Sequence, residues 1–401
     1  MLPIPTRAKP ISRSSWLFGS SHSDEEAVVK LHNIIWVCLL AFVLSGVQAN
    51  AQFEDPRVLG GEKIRDLEPI YPNQEEVRPS GVKAAQSGFV FLGFSTDARR
   101  AAMADAGAGL IGDASGAVFL NPGLLGFVHE RQAFFTHAQW IFETNHQVAG
   151  AVFKFPNAPG TFGVGFITHS AGEINGTKIN PDPASVGFTE TGTFTTTNYA
   201  LSAGWGFQIT DRFSVGAMAR FAHQGLGSSE VFIAGSRQTQ SNDLNAFAVD
   251  IGTYFNTGFR NMVIAMSVRN FSPGGESQFQ REHFELPRSF RLGFVFDMIS
   301  LFGRIPVPHH LNLVTEIHSP IDFDERTLVG VEYRFKQATS AMGFSLRGGY
   351  KNNHDLEDYS FGAGIDYKTE AGKGVRLDYA FKHFNTSFTD PVQMVSAAIS
   401  F

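Results

Sequence analysis

The chain has almost no cysteine, no excess of positive charge and no long apolar run in its main part. Its one cysteine, Cys38, lies in an N-terminal apolar segment, so the rest of the chain has neither a disulfide framework nor a thiolate metal site. A formal net charge of −6 gives no reason to expect nucleic acid as a partner. After that segment no stretch supplies the ~20 consecutive apolar residues of a membrane-spanning helix. With 41 glycines and 39 phenylalanines in 401 residues, the composition indicates an all-β protein, soluble or outer-membrane.

Catalytic signatures are also absent from the sequence. It contains no G-x-S-x-G elbow, H-E-x-x-H motif or P-loop. His309 and His310 are adjacent, so on a strand their side chains face opposite ways. We interpret His137, His146 and His169 as interfacial residues near strand ends. The sequence therefore predicts a protein that is not an enzyme and holds no cofactor or metal.

The N-terminal part has the layout of an exported protein. An apolar run from Ile34 to Val47 follows Lys30 and ends in the small residues Ala49-Asn50-Ala51. That order predicts a leader and signal peptide over residues 1–51, with cleavage after Ala51. Residues 52–87 are polar and interrupted by proline, which indicates a flexible periplasmic arm. The arm is either a plain linker or a docking segment for a partner.

From residue 131 to residue 401 the dominant hydrophobic period is two. Tyr199, Leu201, Ala203 and Trp205, for example, share one face of a strand. The pattern predicts a transmembrane antiparallel β-barrel of fourteen strands. These strands are expected at 131–140, 146–155, 160–171, 198–209, 213–224, 245–257, 261–271, 289–299, 309–318, 327–335, 341–351, 358–369, 373–384 and 391–401.

The connections and the last strand favour a membrane barrel over a soluble sandwich. Long connections at 172–197, 225–244 and 272–288 alternate with short turns, as external loops alternate with periplasmic turns in outer-membrane barrels. This phase predicts an outer-membrane location with both termini in the periplasm and outer-membrane lipid around the wall. Phe401 ends an amphipathic strand, which resembles the assembly signal of bacterial outer-membrane proteins. A β-sandwich adhesin remains an alternative, because alternation alone does not separate the two.

Charges of both signs fall on the predicted inner face of the barrel. Mixed charge at strand centres suits a wet lumen, or one that contacts a plug, because carboxylates and guanidiniums pair across strands. The lumen charges are Arg220, Asp250, Glu316, Glu332, Arg334, Arg347, Asp366, Arg376 and Asp378. Aromatic residues at strand ends predict interfacial girdles. They are Tyr333, Phe335, Tyr350, Tyr359, Tyr367 and Phe384.

Residues 88–130 are apolar but rich in glycine and other small residues, so they need a covered environment and are predicted to form a hatch inside the barrel. Asp97 is positioned to cap a short helix from Ala98 to Ala106, before the breaker Gly107-Ala108-Gly109. A small-residue turn from Gly112 to Gly116 follows. The pair Asn121-Pro122 is expected to fix a turn that seats the hatch, and direct ligand binding by the pair is the alternative.

The order FLGFSTDARRAAMADAGAG, then GDASGAVFLNPGLL, then a barrel resembles the PorV/PorQ family of type IX secretion outer-membrane proteins, which share the fold of FadL-type transporters. The late strands LVGVEYRF, LRGGYK, FGAGIDY and RLDYAF extend the resemblance over most of the chain. The hatch motif that carries it consists of Asp97, Ala98, Arg99, Met103, Asp113, Asn121 and Pro122. The run DARRAAMADAGAG looks more like PorV, whereas NPGLL looks more like PorQ, so the subfamily stays open.

The resemblance implies a barrel that binds type IX secretion components and the C-terminal domains of secreted cargo, either as a shuttle or as a tether. A FadL-like transporter of hydrophobic small molecules is the second hypothesis. The phenylalanines at the start of the hatch, Phe89, Phe91 and Phe94, favour that alternative.

Overall fold

The computed structural model describes residues 87–155, 158–180, 186–233, 236–272, 277–279, 282–299, 308–337, 340–369, 373–386 and 390–401. The predicted leader and signal peptide, and the predicted arm except Ser87, lie outside the described residues. Within the described ranges, fourteen strands close into one barrel in which every neighbouring pair is antiparallel. The fold class predicted from the alternation is therefore confirmed. No helix in the described part of the chain is long and apolar enough to cross a membrane.

The barrel strands follow one another in chain order around the wall. Four further strands lie outside the barrel, so the labels run from β1 to β18. The barrel strands are β1 Gln132–Gln139, β2 Asn145–Phe153, β3 Thr161–Ser170, β6 Thr197–Thr210, β7 Phe213–Ile233, β8 Ser236–Asn256, β9 Val263–Phe271, β12 Ser289–Asp297, β13 His309–Pro320, β14 Arg326–Phe335, β15 Met342–Asn352, β16 Glu357–Lys368, β17 Gly374–Phe384 and β18 Val392–Ser400.

The first and last barrel strands pair to close the wall. Gln132 in β1 lies opposite Ser400 in β18, and the Phe401 amide donates to the Arg131 carbonyl at 3.0 Å. The end of the barrel that holds these residues is here called the terminal end. The opposite end, which carries the longest connections, is called the loop end.

Side chains on the two faces of the wall differ in chemistry. Phenylalanine, leucine, isoleucine and valine are exposed on the outer face, as at Leu201, Phe247 and Leu346. In β18, Val395 and Ile399 are also exposed, which matches the alternation seen in the sequence. Polar and charged residues point inward, where most of them are buried. An apolar belt around a polar interior is the arrangement of a barrel that lies in lipid.

Two of the long connections contain hairpins that were predicted as loops. Residues 172–197 include β4 Glu173–Ile179 and β5 Phe188–Thr195, and residues 272–288 include β10 Ser277–Phe279 and β11 Glu282–Phe284. These strands are polar or very short, so they give no apolar alternation from which to predict them.

The described residues of the third long connection, 225–233 and 236–244, are also strand. β7 and β8 keep pairing past the barrel, after a register shift between Gly225 and Ser228. The extension is rich in serine, threonine and glutamine, so it too lacks apolar alternation.

The hatch lies inside the wall and is built from short helical turns. An α-helix, α1, covers Ala98–Ala101, and a second, α2, covers Ala114–Phe119. Tight 3₁₀ turns cover Val90–Gly93 and Pro122–Phe127, and one more, Ile141–Glu143, joins β1 to β2. Apolar hatch side chains such as Met103, Phe119 and Leu125 are fully buried against the inner wall.

Candidate functional site: the hatch and the vestibule above it

Three turns of the hatch, α1, α2 and the 3₁₀ turn Pro122–Phe127, start at a short polar residue that caps them. The Asp97 carboxylate accepts from the Arg100 amide at 2.9 Å, and the Asp113 carboxylate accepts from the Gly116 amide at 2.9 Å. Asn121 caps the 3₁₀ turn in the same way, through the Gly123 amide at 2.9 Å. Capping satisfies backbone amides that a helix start leaves free, which matters most where water is excluded.

Two predictions about the hatch backbone are wrong. The first helix ends at Ala101 and not at Ala106, because Ala104 and Asp105 adopt left-handed backbone angles with φ of 56° and 63°. Contacts with the wall hold this turn, since the Ala104 amide donates to the Ser360 hydroxyl at 2.8 Å. The stretch predicted as a turn from Gly112 to Gly116 instead contains the start of α2 at Ala114.

Arg99 and Arg100 form the ionic centre of the hatch. The Arg99 guanidinium donates to both carboxylate oxygens of Glu332 in β14, at 2.7 and 2.8 Å, and also contacts Asp113 at 2.6 Å. Arg100 pairs with Asp113 at 2.6 Å and with Asp97 at 3.1 Å. Burial alone would favour the neutral acid, but Arg100 and Arg99 hold the pKa of Asp113 well below its usual range.

The ion pairs continue from the hatch into three strands of the wall. Arg347 in β15 bridges Glu332 at 2.9 Å and Asp378 in β17 at 2.7 Å. Arg376 pairs with Asp378 at 2.9 Å, and Arg334 lies 3.5 Å from Glu332. Since Glu332, Arg347 and Asp378 are buried, each charge depends on the others for the hydrogen bonds that water would supply.

Glu316 and Asn121 attach hatch backbone to other parts of the wall. The Glu316 carboxylate accepts from the Gly107 and Ala108 amides at 3.0 and 2.9 Å and pairs with Arg291 at 2.5 Å. The Asn121 amide group donates to the Ala108 carbonyl at 2.7 Å and to the Thr253 carbonyl at 3.0 Å. These bonds satisfy buried backbone groups of the hatch and of β8.

Glycines on the inner face of the wall allow it to approach the hatch closely. At eight wall glycines an added Cβ would come within 3.0 Å of a hatch atom. They lie on seven strands and are Gly163, Gly165, Gly206, Gly216, Gly252, Gly330, Gly349 and Gly362. Met103 and Pro122, two members of the hatch motif, supply several of the atoms that these positions would meet. The glycines form two arcs, on β3 to β8 and on β14 to β16, and residues between the arcs also contact the hatch, as Glu316 of β13 does, so the hatch fills the lumen at this level.

Above the hatch, on the side of the loop end, lies a cavity of about 360 Å³ that we call the vestibule. Phe94, Ser95 and Asp105 of the hatch form part of its floor. Phe384, predicted as a girdle residue, instead points inward and lines the vestibule, because its position in β17 shares the inner register of Lys382. The cavity is within the size range of small-molecule sites, although its lining carries many charges.

The structure separates the lumen charges named from the sequence into distinct groups. Glu332, Arg347, Arg376, Asp378 and Arg334 form one network with the hatch, and Glu316 forms a second contact. Arg220 pairs with Asp250 at 2.7 Å within the wall, and its other hydrogen bonds within the described residues go to Ser202 and Asn270 of the wall. Asp366 pairs with Lys336 at 3.0 Å, where both side chains are partly exposed. Ala98 contributes through its backbone, since its amide donates to Ser396 in β18 at 2.8 Å.

Sequence reasoning missed the cluster around Asp105. Its carboxylate accepts from Lys351 and Lys382, each at 2.9 Å, and from the Ser95 hydroxyl at 2.5 Å. Glu357 contacts both lysines. The available signal was register, since Lys351 and Lys382 share the inward phase of Arg347 and Asp378. His146 and His169, predicted as interfacial, pair across β2 and β3 against Phe94.

Replacing Glu332 with glutamine is expected to lower the free energy of unfolding by about 2 kcal/mol, because two buried guanidiniums lose a charged acceptor while Asp113 and Asp378 remain. Urea unfolding in detergent measures the change. Asp366→Asn is the matched control, since its pair with Lys336 is partly exposed and is expected to contribute less than about 1 kcal/mol. An equal decrease in the free energy of unfolding for the two variants would contradict the prediction that the buried ion pair stabilises the protein more than the partly exposed one.

Comparison with known proteins gives a fold but no family. No protein-family model matches the sequence, and no curated protein matches it. The toluene transporter TodX of Pseudomonas putida is 12% identical over 80% of this chain and 98% of its own, with a TM-score of 0.50. A TodX deletion mutant described as a monoaromatic hydrocarbon channel is 12% identical, covers 76% of this chain and 97% of its own, and has a TM-score of 0.51.

A FadL homologue from Pseudomonas aeruginosa is 11% identical over 79% of this chain and 99% of its own, with a TM-score of 0.47. At these identities the likeness of the TodX structures establishes a shared barrel fold. The sites that this chain carries have to be interpreted from its own residues.

Proposed function

We propose that the chain is a non-enzymatic outer-membrane barrel that admits small organic molecules through the vestibule. The observation that carries this proposal is a cavity of about 360 Å³ whose floor is the hatch. In this proposal the loop end faces the exterior and both termini face the periplasm, because the longer connections of outer-membrane barrels are external. The shared fold with a toluene transporter supports the same class of function.

The direct test is uptake by cells that produce the protein in an outer membrane. We expect radiolabelled toluene or benzoate to accumulate faster in these cells than in cells with an empty vector. The control is the Asp366→Asn variant, which alters a partly exposed ion pair away from the vestibule and is expected to leave uptake unchanged. Equal accumulation of both probes with and without the protein would contradict the proposal.

A second candidate function is suggested by the sealed lumen and the resemblance to type IX secretion barrels. In this hypothesis the barrel binds secretion components or the C-terminal domains of cargo and delivers or anchors them at the cell surface. A hatch held by buried ion pairs suits a barrel that binds and does not conduct. The hairpin β4–β5 adds an exposed surface at the loop end, since every side chain of Phe188–Thr195 is exposed.

Extraction of the native membrane in mild detergent, followed by mass spectrometry, tests the second candidate. Recovery of secretion components or cargo C-terminal domains with the barrel would support it, and which of them is recovered would point to a tether or a shuttle. Recovery of neither would contradict it.

A further inference from the structure

The vestibule has an excess of positive charge. Among the described residues that line it, six are lysine or arginine and four are aspartate or glutamate. The cations are Arg269, Arg288, Arg291, Arg326, Lys351 and Lys382, and the acids are Asp105, Asp322, Asp355 and Glu357. A low-dielectric cavity with this imbalance favours an anion over a neutral molecule of the same shape.

Only some of these cations have their charge neutralised by a carboxylate. Lys351 and Lys382 share Asp105 and Glu357, which makes a balanced group of four. Arg291 pairs with Glu316 beside the vestibule. These side chains already form ion pairs with carboxylates of the protein and are expected to keep them when a ligand binds.

Arg269 is different, because no carboxylate of the described residues forms an ion pair with it. It is only 4% exposed, and its side chain makes one hydrogen bond within the described part of the chain, from Nη2 to the Leu92 carbonyl at 3.2 Å. Its buried Nε has no hydrogen-bond partner among the described residues. A buried guanidinium without a counter-charge costs stability unless something supplies that charge.

Arg326 is the second such cation, at the start of β14. Its guanidinium stacks over the Phe323 ring at 4.6 Å, and its Nε is also buried without a hydrogen-bond partner in the described chain. Stacking on the ring leaves the edge of the guanidinium available to an oxyanion. Arg269 and Arg326 both line the vestibule, so both cations face the same cavity.

Aromatic side chains form another part of the vestibule. Phe94 and Trp140 are stacked with ring centroids 4.4 Å apart, and Phe384 meets Trp140 edge-on at 6.4 Å. These rings provide an apolar surface for the body of a ligand. The lining therefore offers both cationic and aromatic contacts.

We infer that the vestibule is a binding site for a small organic oxyanion, whose charged group lies against Arg269 and Arg326 and whose apolar body packs on Phe94 and Trp140. This inference deepens the proposed uptake function and rests on the same cavity. It concerns equilibrium binding, however, so it is tested without passage through the barrel. A carboxylate and a phosphate monoester share the required chemistry.

Trp140 provides an optical signal for the test. The predicted mature chain, from residue 52, is purified in an uncharged detergent and titrated with benzoate, with phenyl phosphate and with uncharged benzamide, while tryptophan fluorescence is recorded. A Trp205→Phe background leaves Trp140 as the only tryptophan after residue 51. We expect saturable changes with benzoate or phenyl phosphate, and binding of benzamide weaker by about tenfold or more, since charge-assisted hydrogen bonds are lost. The tighter of the two anions identifies the preferred headgroup.

Three variants test the assignment to the two arginines. Arg269→Gln and Arg326→Gln are each expected to weaken anion binding by about tenfold or more, and Arg269→Lys is expected to restore part of it. Arg212→Gln, which removes an exposed cation at the terminal end, is the matched control and is expected to change nothing. Heat-modified migration in gel electrophoresis checks that each barrel is folded. If Arg269→Gln does not fold, the half-buried Arg326 still gives the answer.

Several results would overturn the inference. They are the absence of saturable binding for both anions, benzamide binding as tight as benzoate, and anion affinities unchanged in folded Arg326→Gln. Intact anion binding without uptake in cells would count against the proposed transport and leave the site standing. Uptake of toluene with no anion binding would support the proposed transport and overturn the anion site.

Discussion

Uptake is expected to stop when the hatch is covalently tied to β12 and to resume when the bond is reduced. The tie is a cysteine pair, Ala108→Cys with Gly293→Cys. A Cβ on Gly293 would lie 3.3 Å from the Cβ of Ala108, near the ~3.5–4.5 Å that a disulfide spans. Because the wall meets the hatch all round, a molecule that crosses the lumen requires the hatch to move. The oxidised variant should take up the probe no faster than cells without the protein.

The two single-cysteine variants are the controls, since each carries the substitution without the tie. The only natural cysteine is Cys38, in the predicted signal peptide, so no other thiol of the predicted mature chain competes. Uptake that continues in the oxidised double variant would contradict passage beside a moving hatch. The type IX hypothesis predicts a different result, because a barrel that binds partners at its outer loops should still co-purify with them when the hatch is fixed.

Adding a single methyl group at Gly349 is expected to keep the hatch from seating. A Cβ at this position would overlap the Met103 carbonyl carbon and the Ala104 amide nitrogen, which are backbone atoms with no freedom to rotate away. The expected cost in Gly349→Ala is about 3 kcal/mol or more, at the upper end for overpacking. Trypsin should then cleave after Arg99 or Arg100, which are 2% and 3% exposed in the seated hatch.

The neighbouring residue offers the same substitution without the clash. At Gly348 the nearest heavy atom to an added Cβ is the Ser360 carbonyl oxygen at 3.9 Å, an ordinary van der Waals contact. Gly348→Ala should therefore fold like the parent and resist trypsin at Arg99 and Arg100. If trypsin cleaves neither alanine variant at Arg99 or Arg100, the hatch accommodates a methyl group at Gly349, and the prediction is contradicted.

The barrel was predictable from the sequence because each strand carries its own local signal. Alternation such as that of Tyr199 to Trp205 needs no knowledge of the neighbouring strands. The caps at Asp97 and Asp113 are local in the same sense, since each carboxylate bonds to an amide three residues along the chain. Polar strands such as β5 gave no such signal and were predicted as loops.

Long-range contacts were the part that sequence reasoning could not supply. Asp105 meets Lys351 and Lys382 across 246 and 277 residues of chain, and this cluster helps hold the turn that ends α1 early. The inward phase of these lysines was available as a signal that they face the lumen, but the alternation along a strand does not say which charge lies opposite which. That Arg269 lacks a paired carboxylate is still harder to predict from the sequence, because the prediction would require the position of every carboxylate near it.

The glycines of the wall also bear on how such proteins diverge. The inner surface of this barrel fits the backbone and side-chain atoms of one particular hatch at eight positions on seven strands. A hatch grafted from another barrel of the same fold would meet glycines where it needs side chains and side chains where it needs glycines. Chimeras that exchange hatch and barrel should therefore fail unless these wall positions are exchanged together with the hatch.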